Sequence, residues 1–483
     1  MHRPPPAPRT SGSHHDLKAA RASRVLTAAW LLPSCLTAAI FLQPLATPAG
    51  TASAKAPPGP LERQAAELYQ AARYDGVLEL LRSIPDGQMV PRDVIRYAVL
   101  SHIKLGKPEE AWKLYPQLVA SNQADDHAML RDLARSFITS RVRDPQEHVR
   151  IEAYTALADL RLSDTLPILE DGLLDSSALV RARAAEAIGR SGQAARSPAL
   201  KRALRDEAPG VRIAVMNALS EAQVADIKDQ LTEIARVDEG PESIFAMAGL
   251  YKLGRADVLI DISNAATLPD PEVRMAALGT LGRLRQSTSL RLLSQAVYDP
   301  HPAVRAFAAG ALGEYGNAEG LAPLVHALGD ESARVRSVAA SSIGRLGLVE
   351  GRAVVQPLLR DPDMHVRASA VEALLRLGDT GAILTAADLA RHPDPSVRGA
   401  TAQALSMAPS SKALPILETL LRDQQPLPRL MAARALGKAR SPAFIPTLKA
   451  GLKDSDVAVR IAVAASLFRT LSTTDKPGSG PRG

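Results

Sequence analysis

The side chains in this chain whose types and spacing best suit chemistry are a carboxylate and a guanidinium that recur six residues apart: Asp144 and Arg150, Asp175 and Arg181, Asp206 and Arg212, Asp299 and Arg305, Asp330 and Arg336, Asp361 and Arg367, Asp423 and Arg429, Asp454 and Arg460. A guanidinium offers a planar fork of donors that matches a carboxylate, so the pairing makes strong charge-assisted hydrogen bonds. Such a pair neutralises itself and leaves no free base or nucleophile, which makes it structural rather than catalytic. The other reactive groups are scattered. His301, His326, His365 and His392 occupy different positions of the pattern, and Cys35 is the single cysteine. No nucleophile elbow, phosphate loop, zinc-ligand spacing or paired catalytic carboxylates stand out. The sequence therefore predicts no catalytic residue, no metal site, no cofactor and no enzyme.

The elements that position these pairs recur every 31 residues, with anchors at Val149, Val180, Val211, Glu242, Val273, Val304, Val335, Val366, Val397, Pro428 and Val459. Counting the anchor as position 0, apolar or small residues at 0, +4, +7 and +8 make one helical face. Position +7 holds only Ala, Gly, Ser or Thr, which suits close approach of a neighbouring helix. A second helix carries apolar pairs at +20 and +24, as in Leu169 with Leu173, Leu324 with Leu328, Leu417 with Leu421 and Leu448 with Leu452. The aspartate at −5 reads as the N-cap of the first helix, with Pro145, Pro300 and Pro362 at the first helical position. The arginine at +1, which includes Arg274 and Arg398, reaches a carboxylate of its own or a neighbouring repeat and laces the stack into a ladder. Gly282, Gly313, Gly344 and Gly437 fall near the end of the first helix and read as left-handed C-terminal caps.

This pattern, seen from Asp299-Pro300-His301-Pro302-Ala303-Val304-Arg305 through Ala311-Leu312-Gly313, resembles the HEAT-like repeats of the bilin-lyase (E-Z) type over roughly residues 142 to 471. The resemblance implies an all-α fold, a right-handed α-α superhelix with a concave binding surface. Some relatives are enzymes; deoxyhypusine hydroxylase holds iron through His-Glu pairs. This chain has no His-Glu pair, only the reversed Glu147-His148, and nothing marks a pigment site. Activity does not transfer on a repeat pattern alone.

The expected domains are an export signal or membrane anchor at 1–54, a linker at 55–60, a tetratricopeptide-like helical region at 61–140, the solenoid at 141–471 and a tail at 472–483. The first of these helical regions rests on Leu68 to Val77 and His102 to Ala111, which align at a separation of 34; the alternative is an irregular helical cap over the first repeat. At the start, Arg3, Arg9, Lys18, Arg21 and Arg24 precede an uncharged run from Val25 to Leu42, followed by Ala52-Ser53-Ala54. This is read as a cleaved export signal, an anchor formed by residues 25–42, or lipidation at Cys35. The expected location is exported, periplasmic or cell-envelope, with membrane contact only through this segment.

The net charge of +7 sits mostly at the ends: residues 1–60 carry +5 and the tail +1, leaving the body nearly neutral. Outward positions of the second helices vary in kind, from Glu170 and Asp171 to Lys201 and Arg202 to Ser294 and Gln295, and aromatics make up 3% of the chain. No basic stripe or stacking platform results, so the partners expected are other proteins and not nucleic acid. The reading is a non-catalytic protein-protein interaction scaffold, with an enzyme or cofactor-handling accessory of the bilin-lyase type as its alternative. Two irregularities stand out. Glu242-Ser243 replaces Val-Arg where Val237 replaces the acid, which breaks the ladder at the fourth repeat. The eleventh repeat stops after one helix, which leaves Val457, Val459, Ile461, Val463, Leu467 and Phe468 without a covering helix. On the face assignment, Leu312→Ala costs roughly 2–5 kcal/mol in chemical denaturation. Arg202→Ala stays within about 0.5 kcal/mol.

Overall fold

The computed structural model describes residues 58–119, 125–237, 240–407 and 412–474. Residues 1–57, which include Cys35, the run at 25–42 and the expected cleavage site, lie outside the described residues, as does the tail from 475. From Pro58 onward the chain forms one compact unit.

Every repeat begins with a helix where the sequence places one. These first helices run Glu147–Leu160, Ala178–Arg190, Pro209–Glu221, Pro241–Lys252, Pro271–Leu284, Pro302–Tyr315, Ala333–Leu346, Met364–Arg376, Pro395–Leu405, Pro426–Ala439 and Val457–Thr474. The second helices are shorter, as in Leu166–Gly172 and Leu321–Ala327, and each packs onto the first helix of the following repeat. Among the described residues there is no strand. The +20 and +24 leucines are buried except Leu359, which is half-buried, and one continuous apolar core extends from Ile95 to Leu471.

In nine repeats the turn after the first helix is closed by a left-handed residue at +12, three positions later than the sequence reading placed it. Gly316, Gly347 and Gly378 serve there, with φ of 75°, 72° and 82°, and so do Arg161, Arg285 and Arg440. Gly282, Gly313, Gly344 and Gly437 are instead helical and stand at +9, where each meets the small +7 residue of the next repeat. A β-carbon added to Gly344 would lie 2.6 Å from the Cα of Ala373, and one added to Gly282 would lie 2.9 Å from the Cα of Ala311. These positions carry glycine because two helix backbones touch there, not because a turn needs a positive φ.

Ahead of the repeats stand helices α1 (Pro60–Gln70), α2 (Tyr74–Ser83), α3 (Arg92–Lys104), α4 (Pro108–Leu114) and α5 (His127–Thr139). The turns from α1 to α2 and from α3 to α4 each contain a left-handed residue, Ala72 and Gly106, at the 34-residue separation. Helix α5 packs chiefly on the last helix, Val457–Thr474, and only lightly on the first helix of repeat 1.

The two ends of the array meet. The last helix, Val457–Thr474, lies against both α5 and the first helix of repeat 1, so the eleven first helices form a closed cycle. The apolar face expected to be bare is covered: Val459, Ile461, Val463 and Leu467 are fully buried, and Val457 and Phe468 are half-buried. Polar contacts fasten the seam. Lys449 in repeat 10 reaches Asp125 at 2.6 Å, Arg434 reaches Glu152 at 2.6 Å, and Arg469 reaches Asp159 at 3.4 Å. The +7 and +9 contacts hold the first helices nearly backbone to backbone, while the second helices make no comparable contacts with one another. The first helices therefore line the inside of the curve, and a full turn shared among eleven repeats is about 33° each.

The close contact sets the sign of two substitutions. Gly344→Ala loses roughly 1–3 kcal/mol by overpacking. Gly210→Ala, in the first turn of a first helix with nothing within 4 Å of the new carbon, gains roughly 0.4–1 kcal/mol. Chemical denaturation measures both, and a gain at Gly344 matching that at Gly210 would contradict the backbone contact.

Candidate functional site

The structure joins the aspartates and arginines across repeats rather than within them. Arg150 clasps Asp175 with bonds of 2.8 and 2.9 Å, and the same two-pronged bond links Arg181 to Asp206, Arg274 to Asp299, Arg305 to Asp330, Arg336 to Asp361, Arg398 to Asp423 and Arg429 to Asp454. Each arginine also donates to carbonyls of its own entry loop, as Arg305 does to Asp299 at 3.1 Å and Pro300 at 3.3 Å. One guanidinium thus ties the loop before its own helix to the loop of the next repeat.

The aspartates are not N-caps. They stand two residues before the cap, and the carboxylate accepts from the N–H of the cap residue itself, as Asp330 does from Ser332 and Asp299 from His301, both at 2.8 Å. The caps are Gln146, Ser177, His301, Ser332 and Asp363. Pro145, Pro300 and Pro362 accordingly precede the helices, and the prolines at first helical positions are others, such as Pro302 and Pro426. A capping aspartate would turn its carboxylate into its own helix. Here it must also face the neighbouring arginine, which the extra two residues of loop permit.

The ladder is interrupted at other places than the fourth repeat's entry. Glu242, occupying the valine position, accepts from Arg212 and replaces the missing aspartate. The gap comes one step later, where Ser243 stands in place of arginine and Leu268 in place of the next aspartate, so both halves of that rung are absent together. Arg367 faces His392 at the acid position of the next repeat and bonds the carbonyl of Asp361 instead. At the seam Asp144 is approached by Arg141 at 3.6 Å, while Arg460 turns to Glu109 of α4 at 3.5 Å.

Electrostatics follow from this geometry. Burial alone would raise Asp206 and Asp330, but the arginine bonds and a backbone N–H outweigh it and hold both below the ordinary 3.8. For Asp423 the Arg398 bond is the largest influence, and its carboxyl is likewise lowered. These groups do not offer a proton-transfer site. Among the described residues no group of three His, Cys, Asp or Glu side chains is placed to hold a metal ion.

The family model for HEAT repeats matches residues 124–188, 173–248, 290–364, 351–429 and 419–477, more than half of the chain. The chain belongs to the HEAT-repeat family. Helix α5 lies inside the first match, ahead of the boundary at 141 expected from the 31-residue pattern. Among solved structures, the complex of CpcE and CpcF of phycocyanin lyase from Nostoc is 22% identical, covering 42% of this chain and 91% of that one with a TM-score of 0.34. Human deoxyhypusine hydroxylase in complex with glycerol is 21% identical over 52% of this chain and 98% of that one, TM-score 0.25. YibA of E. coli is 17% identical over 67% and 99%, TM-score 0.29. No curated protein matches.

The surface that the HEAT repeats leave available is the inner face of the cycle, at +3, +6 and +10 of the first helices, opposite the side covered by the second helices. Its concavity is visible in one bond: Arg434 of repeat 10 reaches past repeat 11 to Glu152 of repeat 1. Side chains two repeats apart touch only on the short side of a curve. The +10 column is charged in ten repeats, with Asp159, Arg190, Glu221, Lys252, Arg283, Glu314, Arg345, Arg376, Lys438 and Arg469, and is Met407 in the ninth repeat. Neighbours along it pair, as Arg190 does with Asp159 at 2.9 Å. Arg345 and Lys438 are exposed, yet desolvation lowers both below their usual values because protein surrounds them on several sides. Sequence reasoning placed the varying surface on the second helices. The signal for the inner face was the +10 column itself, charged but of changing sign.

No helix among the described residues is long and apolar enough to cross a membrane. Because the carboxyls of Asp175, Asp206, Asp330, Asp361 and Asp423 are lowered on folding, they add stability above about pH 4 that is lost as pH falls through their folded values. Asp330→Asn therefore costs roughly 2–3 kcal/mol at neutral pH and shows a shallower loss on acidification than the wild type in pH-dependent melting.

Proposed function

We propose that this protein is a non-catalytic scaffold that binds other proteins on the inner face of its HEAT-repeat ring, acting at the cell envelope. The observation that carries the reading is the division of labour among columns. The repeating polar groups are consumed in bonds between repeats, as in Arg305 to Asp330, whereas the inner columns change identity from repeat to repeat. A surface whose chemistry varies over a rigid, regular frame suits recognition of a particular partner. Location at the envelope rests on the basic, apolar and small-residue order of residues 1–54.

Crosslinking with mass spectrometry in the native cell tests both parts. The expected result is partner crosslinks at inner-face Lys438 in preference to Lys201 of a second helix, and mature protein lacking or membrane-retaining residues 1–54. Protein with an intact N-terminus in the soluble cytoplasm would overturn the location, and a purified preparation carrying a chromophore or metal would overturn the non-catalytic reading.

A further inference from the structure

The inner face is chemically divided. Across repeats 4 to 7 its +3 and +6 positions carry no charge: Phe245 and Phe307 rise from small residues that include Gly279 and Gly310. Phe307 is 43% exposed, a large apolar side chain left in solvent on the inside of a curve. The two rings stand two repeats apart, with only the small Ala276 and Gly279 of repeat 5 at the same columns between them. Arg283 lies over the Phe245 ring at 5.8 Å and sets the polar border of this sector.

Across repeats 7 to 11 the +10 column is cationic wherever it is charged, with Arg345, Arg376, Lys438 and Arg469, and Arg434 and Glu372 add one charge of each sign at +6. Arg434 and Arg469 are spent on the seam, on Glu152 and Asp159. Arg376 pairs with Glu372 at 3.2 Å. Arg345 and Lys438 bond only neutral oxygens, on Ser342 at 2.7 Å and Ser406 at 3.3 Å. Neither has a bonded acid, although Glu314 and Glu372 act on Arg345 from farther off and Glu372 and Asp159 on Lys438, so each guanidinium or ammonium keeps donors for an incoming carboxylate.

We propose that the inner face receives an amphipathic acidic segment of a partner protein, its apolar side chains against Phe245 and Phe307 and its carboxylates at Arg345 and Lys438. The proposal rests on the scaffold reading above. A peptide is favoured over a nucleic acid because the cationic arc adjoins +3 and +6 columns that are uncharged and carry two phenylalanines, which a phosphate backbone would not fill, and because two cations without a bonded acid are few for tracking one.

The test uses the purified full chain and fluorescence anisotropy with a labelled helical peptide of Leu and Glu in amphipathic order, its Glu→Gln version, its Leu→Ser version and a labelled single-stranded oligonucleotide. The expected result is binding of the first peptide that weakens with added salt, with about tenfold loss for either altered peptide. Lys438→Glu and Phe307→Ser, both at exposed positions, each reduce that binding about tenfold with unchanged melting, whereas Arg202→Glu on a second helix leaves it unchanged. Equal binding of the Glu→Gln peptide, or oligonucleotide binding in place of peptide, overturns the proposal. If no peptide binds while partner crosslinks appear at inner-face lysines such as Lys252, the acidic-segment proposal fails and the scaffold reading survives; absence of any partner crosslink removes the scaffold reading itself.

Discussion

The structure depends on one contact, the near backbone-to-backbone approach of successive first helices at small residues. Where Gly344 meets Ala373 or Gly282 meets Ala311, the helices sit closer than any larger side chain would allow. The second helices have no such mutual contact, so the two layers of the array differ in length. A layered strip with one short side must curve, and eleven equal increments bring repeat 11 against repeat 1 and α5. Closure then replaces the exposed ends that a linear array must cap with a seam buried like any other interface between repeats.

The ladder complements this packing at the entry loops. A loop preceding a helix carries carbonyls and N–H groups with no helical partner. Each arginine satisfies two carbonyls of its own loop and each aspartate satisfies one N–H of the next, so the ion pair is supported by four or more hydrogen bonds, as at Arg305 and Asp330. Isolated surface pairs add little; these are mostly buried and geometrically fixed, and the rung between repeats 4 and 5 is missing as a pair, Ser243 with Leu268, whereas Arg367, with His392 at the acid position, keeps its charge and turns to the carbonyl of Asp361.

Much of the fold was legible because its information is local and repeated. The period located all eleven first helices, the +20 and +24 leucines marked the second, and the small +7 column was correctly read as a place of close approach. The misreadings came where two explanations share one residue type. Glycine at +9 and glycine at +12 both stand near a helix end, and only the observed φ separates a packing glycine from a turn glycine. Aspartate before a helix suits a cap or a turn two residues earlier, and the neighbouring arginine decides between them. Glu242 looked like a lost rung because its partner, Arg212, is one repeat away and the longer glutamate reaches from a different position.

By itself the sequence determined the unit: two helices, their apolar faces, and the charge pair that repeats with them, all set by spacings within a few dozen residues. Tertiary structure alone decided that the array closes and which side of it faces inward. Curvature accumulates from small differences in interhelical distance at every level, and no single repeat contains the sum. Contacts such as Arg434 with Glu152 and Lys449 with Asp125 join residues about three hundred positions apart, where no periodicity can announce them.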